Sequence, residues 1–241
     1  MAQYVAVTRG VGPLYDELHS LLDREREPGP AHRFLASLPA ILRERGVPQQ
    51  LIVSTAWDGS VEQAFADADE PIDVVSYLAL GRDRGKFLHR SSDGGAQVID
   101  IPNAYTGVPL GERPVLLKIH GEVDLSPTRD WESFVVSEDD YIGYLAETGV
   151  AGGLPVTIAA RLRRSHFLFL GYGVVDWSLR VFLHRLWPDK QIGYRSWALE
   201  QSSMTVEREV WRSHGVDLLT ADIGRYVEQL GERILDLGVS G

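Results

Sequence analysis

The chain contains no cysteine and only two methionines among its 241 residues. The lack of thiols excludes a disulfide framework, a cysteine nucleophile and thiolate metal sites, and it fits a reducing compartment. No apolar run approaches the roughly 20 residues a membrane-spanning helix needs. The opening segment, Met1 to Gly10, has no basic region followed by a long apolar one, so it does not read as a secretion signal. These absences point to the cytoplasm and away from membranes. Positive charge is also short: 24 Lys and Arg face 34 Asp and Glu, a formal net charge of −10. Such a surface repels phosphate backbones and argues against a dedicated nucleic-acid binder. The one local basic cluster, Arg161, Arg163 and Arg164, reads as a solvated helix end. There is no internal repeat, no low-complexity tract and no linker that would split residues 1–241 into two domains.

What is present is ordinary globular material, 44% apolar and 24% charged. Short apolar runs alternate with longer amphipathic ones, the pattern of an α/β fold: a parallel sheet with helices on both faces. Residues 1–50 read as a helical lead-in and 51–236 as the core. Leu14, Leu18, Leu21 and Leu22 share a helix face. Residues 31–45 read as one or two short helices, with Pro39 restarting the helix and Gly46 ending it. Leu51–Ser54 reads as a buried strand, followed by a helix capped by Asp58 with Val61, Ala64 and Phe65 inward. Residues 72–115 look irregular, with strand pieces at 74–77 and 97–101. Val115–Ile119 is a clear strand. An acidic helix start, Glu138-Asp139-Asp140, suits the helix dipole. Helix 155–164, strand 167–170, a helix from Asp176, strands 196–199 and 216–219, and a closing helix bearing Ile223, Val227, Leu230 and Ile234 complete the pattern.

In open parallel sheets, ligands bind beyond the carboxyl ends of the strands. Three segments put polar residues or glycines there: Ser54-Thr55-Ala56-Trp57-Asp58, Lys118-Ile119-His120-Gly121-Glu122-Val123-Asp124, and Gly171-Tyr172-Gly173-Val174-Val175-Asp176. His120 follows a strand and precedes a glycine that permits close approach, a place where histidine can serve as a general base near neutral pH. A packed structural histidine fits the same position. The Gly-Tyr-Gly turn lets backbone N–H groups approach a phosphate or ribose, although a tight strand–helix turn needs glycine with or without a ligand. The other histidines, 19, 32, 89, 166, 184 and 214, show no metal-ligand spacing, so no metal site is expected. No Walker or six-residue Rossmann glycine pattern is present.

Taken in order, these segments, with Glu138-Asp139-Asp140-Tyr141 between the second and third, resemble the SIR2-like domains of bacterial NAD-consuming defence proteins, relatives of the sirtuins. The family pattern runs Thr-Thr-Asn-Tyr-Asp, Lys-Leu-His-Gly-Ser-Ile-Asp, Glu-Asp-Asp-Tyr, then Leu-Gly-Tyr-Ser with Asp three residues on, and the match spans roughly residues 50–230. The resemblance implies cleavage of the nicotinamide–ribose bond of NAD, with His120 as general base for a ribose hydroxyl or water. It assigns Gly171, Tyr172 and Gly173 to the adenosine side, Thr55 to the phosphates or ribose, and Trp197, at the end of a later strand, to the adenine region. Asp58, Gly121 and Asp176 complete the implied NAD-holding set.

Two departures bear on activity. The strand and Gly-Ala-Gly loop with which the family opens have no counterpart here. Either the chain is N-terminally truncated or this form lacks the loop, and the expected sheet, without its first strand, leaves a slot that a second copy or a partner protein could fill. The family's asparagine is Ala56, which offers neither donor nor acceptor, and Gly173 replaces a serine. Two functions therefore stand: an NAD glycohydrolase of reduced or partner-dependent activity, or a non-catalytic module that binds NAD or ADP-ribose, or serves as a scaffold in a larger assembly. A protein deacylase is disfavoured, because the cysteines of a zinc module are absent.

Overall fold

The computed structural model describes residues 1–24, 27–146, 154–172, 177–187, 192–201 and 205–237. Two helices come first, α1 (Ala2–Arg9) and α2 (Val11–Leu22). Leu14 faces inward as its spacing predicts. Leu21, however, is exposed, and His19 takes the buried position, where its ring bonds the Glu132 carboxylate.

α3 (Pro30–Glu44) is continuous, with Pro39 inside it and no restart. Proline at 39 deprives the Leu35 carbonyl of its helical donor, and Gln50 Nε2 supplies a replacement at 2.7 Å. Gln49 Nε2 adds a bond to the Pro39 carbonyl at 3.2 Å. Gln50, after the helix, therefore repairs its ladder. Gln50→Ala would leave the Leu35 carbonyl unpaired, and a loss of about 1–2 kcal/mol is expected, read from the midpoint of urea unfolding.

The main sheet contains β1 (Leu51–Ser54), β2 (Asp73–Tyr77), β3 (Phe87–Arg90), β4 (Ala96–Ile99) and β5 (Val115–Lys118), in the order β1-β5-β2-β3-β4. β1, β5 and β2 are parallel, while β2-β3-β4 is an antiparallel meander. Residues 73–99 thus carry a three-stranded meander that their composition does not suggest, while 100–114 are turns and irregular chain as expected. β3 hides in the sequence because His89 and Arg90 interrupt its apolar pattern. His89 is buried all the same, with Nε2 2.9 Å from Asp73 Oδ2 and Nδ1 2.7 Å from the Tyr105 hydroxyl.

Helix α4 (Ser60–Asp67) follows β1 and buries Val61, Ala64 and Phe65. With Ala36, Val74 and Leu116 these residues form the core on one face of the sheet. The other face carries the larger core, built on Val75, Tyr77, Leu117 and Ile119. A short ribbon of β6 (Gly121–Glu122) and β7 (Ser133–Phe134) leads to α5 (Glu138–Ala146).

The remaining described elements are α6 (Val156–Arg163), β8 (Leu168–Leu170), α7 (Trp177–Leu186), β9 (Ser196–Glu200), α8 (Thr205–Ser213), β10 (Val216–Thr220) and α9 (Ile223–Asp236). The expected helix start at Asp176 lies outside the described residues. Strands β8, β9 and β10 form a second parallel sheet in the order β10-β9-β8. Helix α8, unremarked in the sequence pattern, supplies the crossover that parallel neighbours require. Helices cover both faces of the parallel strands, the Rossmann-like α/β arrangement. No described helix is long and apolar enough to cross a membrane.

Among the described residues, the main and second sheets each end at a parallel strand with one open side: β1 pairs only with β5, and β8 only with β9. β1 bonds β5 through the carbonyls of Gln50 and Ser54, so by strand alternation Leu51 and Val53 turn their backbone groups toward the open side. The Tyr172 hydroxyl, just past β8, donates to the Val53 carbonyl at 3.4 Å. The two edges thus lie near one another with no described strand between them.

Candidate active site

β5 is buried along its whole length. The Ile119 N–H continues the ladder to the Ser54 carbonyl at 3.0 Å, and the chain then turns sharply at Gly121, whose φ is 82°. A Cβ at Gly121 would stand 2.0 Å from the Ser133 carbonyl oxygen, so only glycine permits this approach of β6 to β7. The turn presents His120 beneath α5. Its carbonyl accepts the Val135 N–H at 2.9 Å. Its ring, only 2% exposed as a residue, meets Tyr141 and Tyr144 edge-on at centroid distances of 6.1 and 5.5 Å.

The 55–58 loop lies against this turn. The Trp57 carbonyl accepts the Val123 N–H at 2.9 Å, and Ser54 Oγ accepts the Ala56 N–H at 3.0 Å. Gly59, not Asp58, occupies the cap position of α4. Asp58 acts one residue earlier, its Oδ1 accepting the Ser60 N–H at 3.0 Å. Burial pushes the Asp58 carboxyl up, but the Ser60 bonds and the Lys118 charge outweigh it and hold the group below the usual carboxylate range. Thr55 is half-buried and Ala56 exposed. The Trp57 Nε1 donor is buried with no acceptor, and the ring stands edge-on to Phe134 at 5.9 Å.

Beneath the loop lies a buried charge network. Lys118, only 1% exposed, donates to the Asp58 carbonyl at 2.7 Å and to Glu62 Oε1 at 2.8 Å. Glu122 accepts from Ser76 Oγ at 2.8 Å and from Arg90, and lies 3.8 Å from Lys118 Nζ. Burial raises the Glu122 carboxyl above its ordinary range, against the pull of Arg90 and Lys118. A raised acid favours the folded chain while protonated. That contribution is full below the ordinary carboxylate range and is lost as pH rises through the raised value. Glu122→Gln is therefore expected to shift the pH profile of stability. The difference in unfolding free energy between variant and parent should grow in the variant's favour as pH rises through that window, as urea titrations at stepped pH will measure.

The third segment begins at Gly171, with φ 72° directly after β8, and continues to Tyr172. Gly173 and Asp176 lie outside the described residues. Strand order thus brings His120, Gly121, Thr55, Asp58, Gly171 and Tyr172 to the carboxyl ends of β1, β5 and β8. Trp197 is not among them. It is the second residue of β9 and pairs with Leu168 and Asp217, and its ring meets His166 and Arg195. The expectation that it ends its strand is corrected. β9 runs on to Glu200, and parallel pairing puts Trp197 at the amino end, about 10 Å of strand away from the Gly171 side.

Lys118 and Tyr141 stand in the matched segments, yet sequence reasoning assigns neither a role of its own, and Tyr144 goes unmarked. A lysine within the run Val115-Leu116-Leu117-Lys118-Ile119 was a usable signal, since lysine is buried only when paired. The tyrosines stand three apart on a recognised helix, yet nothing in the chain order says that this helix covers His120. A cavity of about 130 Å³ adjoins the loop, lined by Asp58, Gly59, Ser60 and Gln63 with Leu22, Asp23, Arg24 and Leu125. A larger one, about 240 Å³, lies between α3 and α9 and contains none of the candidate residues. Among the described residues no group of His, Asp and Glu could hold a metal ion.

Comparison with known proteins agrees with the order of these segments. No curated protein matches the chain significantly. A family model described as SIR2-like domain matches residues 50–219, which takes in the 55–58 loop, the His120 turn and the Gly171 turn. With well over half of its length matched, the chain belongs to the SIR2-like domain family.

Proposed function

We propose that this chain is a cytoplasmic NAD glycohydrolase of reduced or partner-dependent activity, acting in bacterial defence, with His120 as general base. The observation that carries the reading is the position of His120. It stands at the carboxyl end of β5, between the loop after β1 and the turn after β8, where parallel α/β sheets bind ligands. The donor set fits a polar ligand. Thr55 offers a hydroxyl, and the Trp57 indole N–H is buried without an acceptor. On this reading His120 takes a proton from water, directly or through a ribose hydroxyl, and the water oxygen bonds the ribose anomeric carbon. The ribose–nicotinamide bond breaks, nicotinamide leaves with the bonding electrons, and ADP-ribose is the second product. Thr55, Gly121, Gly171 and Tyr172 hold the rest of NAD, with Asp58 setting the loop through its bonds to Ser60.

Two features support reduced or conditional activity. Ala56 cannot hydrogen-bond through its side chain. His120 lies buried under Tyr141 and Tyr144, and the cavity of about 130 Å³ beside Asp58 does not include it among its lining residues. NAD reaches the histidine only if the surrounding segments open. The unpaired edges of β1 and β8 are where a second copy or partner chain would join to favour the open form.

The test follows nicotinamide release from NAD by the purified chain, beside a His120 variant. The same exposed Ala56 and covered His120 favour a second reading, a non-catalytic NAD or ADP-ribose sensor. Calorimetric binding of ADP-ribose with no nicotinamide released would establish that reading in place of the first.

A further inference from the structure

Lys118 has no place in the proton transfer, yet with Glu122 it is one of the two most enclosed charged side chains of the network beneath the loop. Its ammonium does not simply find a carboxylate. It donates to the backbone carbonyl of Asp58 at 2.7 Å and is itself held by Glu62 Oε1 at 2.8 Å, with Glu122 at 3.8 Å. Burying an ammonium is costly, and apolar residues of similar volume often replace buried ion pairs without loss of stability. A charge kept here and aimed at a loop carbonyl therefore has a use other than stability.

The loop it grips is the one after β1. That loop has two inward anchors on consecutive carbonyls: Trp57 bound by the Val123 N–H, and Asp58 bound by Lys118. The first anchor, Val123, lies just past β6 and three residues after His120. The second belongs to β5, two residues before it. Together they tie the loop to both sides of the His120 turn. Ala56 gives the loop no polar side chain at its centre, so its interaction with a ligand depends on where its backbone, Thr55 and Trp57 are held.

We propose that Lys118 is a positioning residue that sets the 55–58 loop against His120, with Glu62 and Glu122 holding its ammonium in place. The proposal builds on the site described above but does not need that site to be catalytically active. The loop is set before any ligand arrives.

The test compares the full chain with Lys118→Arg and with the double variant Lys118→Met/Glu62→Gln, which removes the ammonium together with the partly exposed carboxylate it would strand. Hydrogen exchange by mass spectrometry is read on peptides covering residues 54–60 and, as a folding control, on β2 and β5. The double variant should speed exchange in 54–60 by about tenfold or more while β2 and β5 stay protected, with Lys118→Arg between it and the parent. Where nicotinamide release is measurable, kcat should fall by about 10²-fold with KM changing far less. Unchanged exchange in 54–60 overturns the proposal, as does exchange that rises equally throughout the chain, because Lys118 would then serve only the fold. If the parent chain releases no nicotinamide, the NAD reading fails by itself, and the exchange comparison still decides the role of Lys118.

Discussion

Replacing His120 by Gln is expected to lower nicotinamide release by a factor of about 10²–10⁴, the usual contribution of a positioned general base. Gln is the informative replacement because the site is tightly enclosed. His120 is 2% exposed and packed edge-on against Tyr141 and Tyr144, and alanine would add a cavity to the loss of the base. Gln keeps most of the volume and removes the group that takes the proton. The variant should melt close to the parent and retain the affinity for ADP-ribose that calorimetry finds in the parent, so that the loss falls on kcat. Release by His120→Gln equal to that of the parent would remove His120 from the chemistry and leave it a packing residue at a strand end.

Gly121→Ala should have the largest effect on stability. Two penalties coincide there. A φ of 82° is a strained backbone for alanine, at about 1–3 kcal/mol. The new Cβ would also lie 2.0 Å from the Ser133 carbonyl oxygen, a backbone atom that moves only if β6 and β7 separate, at about another 1–3 kcal/mol. A total loss of about 2–6 kcal/mol is a large part of the roughly 5–15 kcal/mol that holds a domain folded. Gly171→Ala is the matched control. Its φ is similar at 72°, but the nearest atom to its Cβ is the flexible end of Ile223 at 3.6 Å, so only the backbone penalty applies. Equal unfolding midpoints in urea for the two variants would show that the Gly121 approach to Ser133 contributes nothing beyond its dihedral angle.

These expectations separate what the chain order alone reveals from what folding adds. The alternation of apolar runs with amphipathic stretches determined the α/β class, because strand and helix periodicities are local properties of the residues. The order of the segments at 54–58, 118–124 and 171–176 determined the family and the choice of His120. Strand ends in a parallel sheet gather at one side whatever the details of packing, so residues far apart in sequence could be placed together without coordinates.

Tertiary structure decided the rest. β3 is a strand because Asp73 and Tyr105 satisfy His89 from outside the segment, and no local pattern announces such a partner. Pro39 interrupts no helix because Gln50 supplies the bond that proline forfeits. Trp197 has the composition of a ligand-facing aromatic, but its place in β9 is set by the register with Leu168, and that turns it to the wrong end of the sheet. Lys118 looks like an interruption in a strand until Asp58 and Glu62 are seen around its ammonium. The sequence by itself determined that Thr55, His120 and Gly171 follow the carboxyl ends of their strands, since periodicity and chain order suffice for those three. Only the tertiary structure decided that His120 is covered by two tyrosines and flanked by a loop pinned from below, because burial and pairing depend on elements that meet only in space.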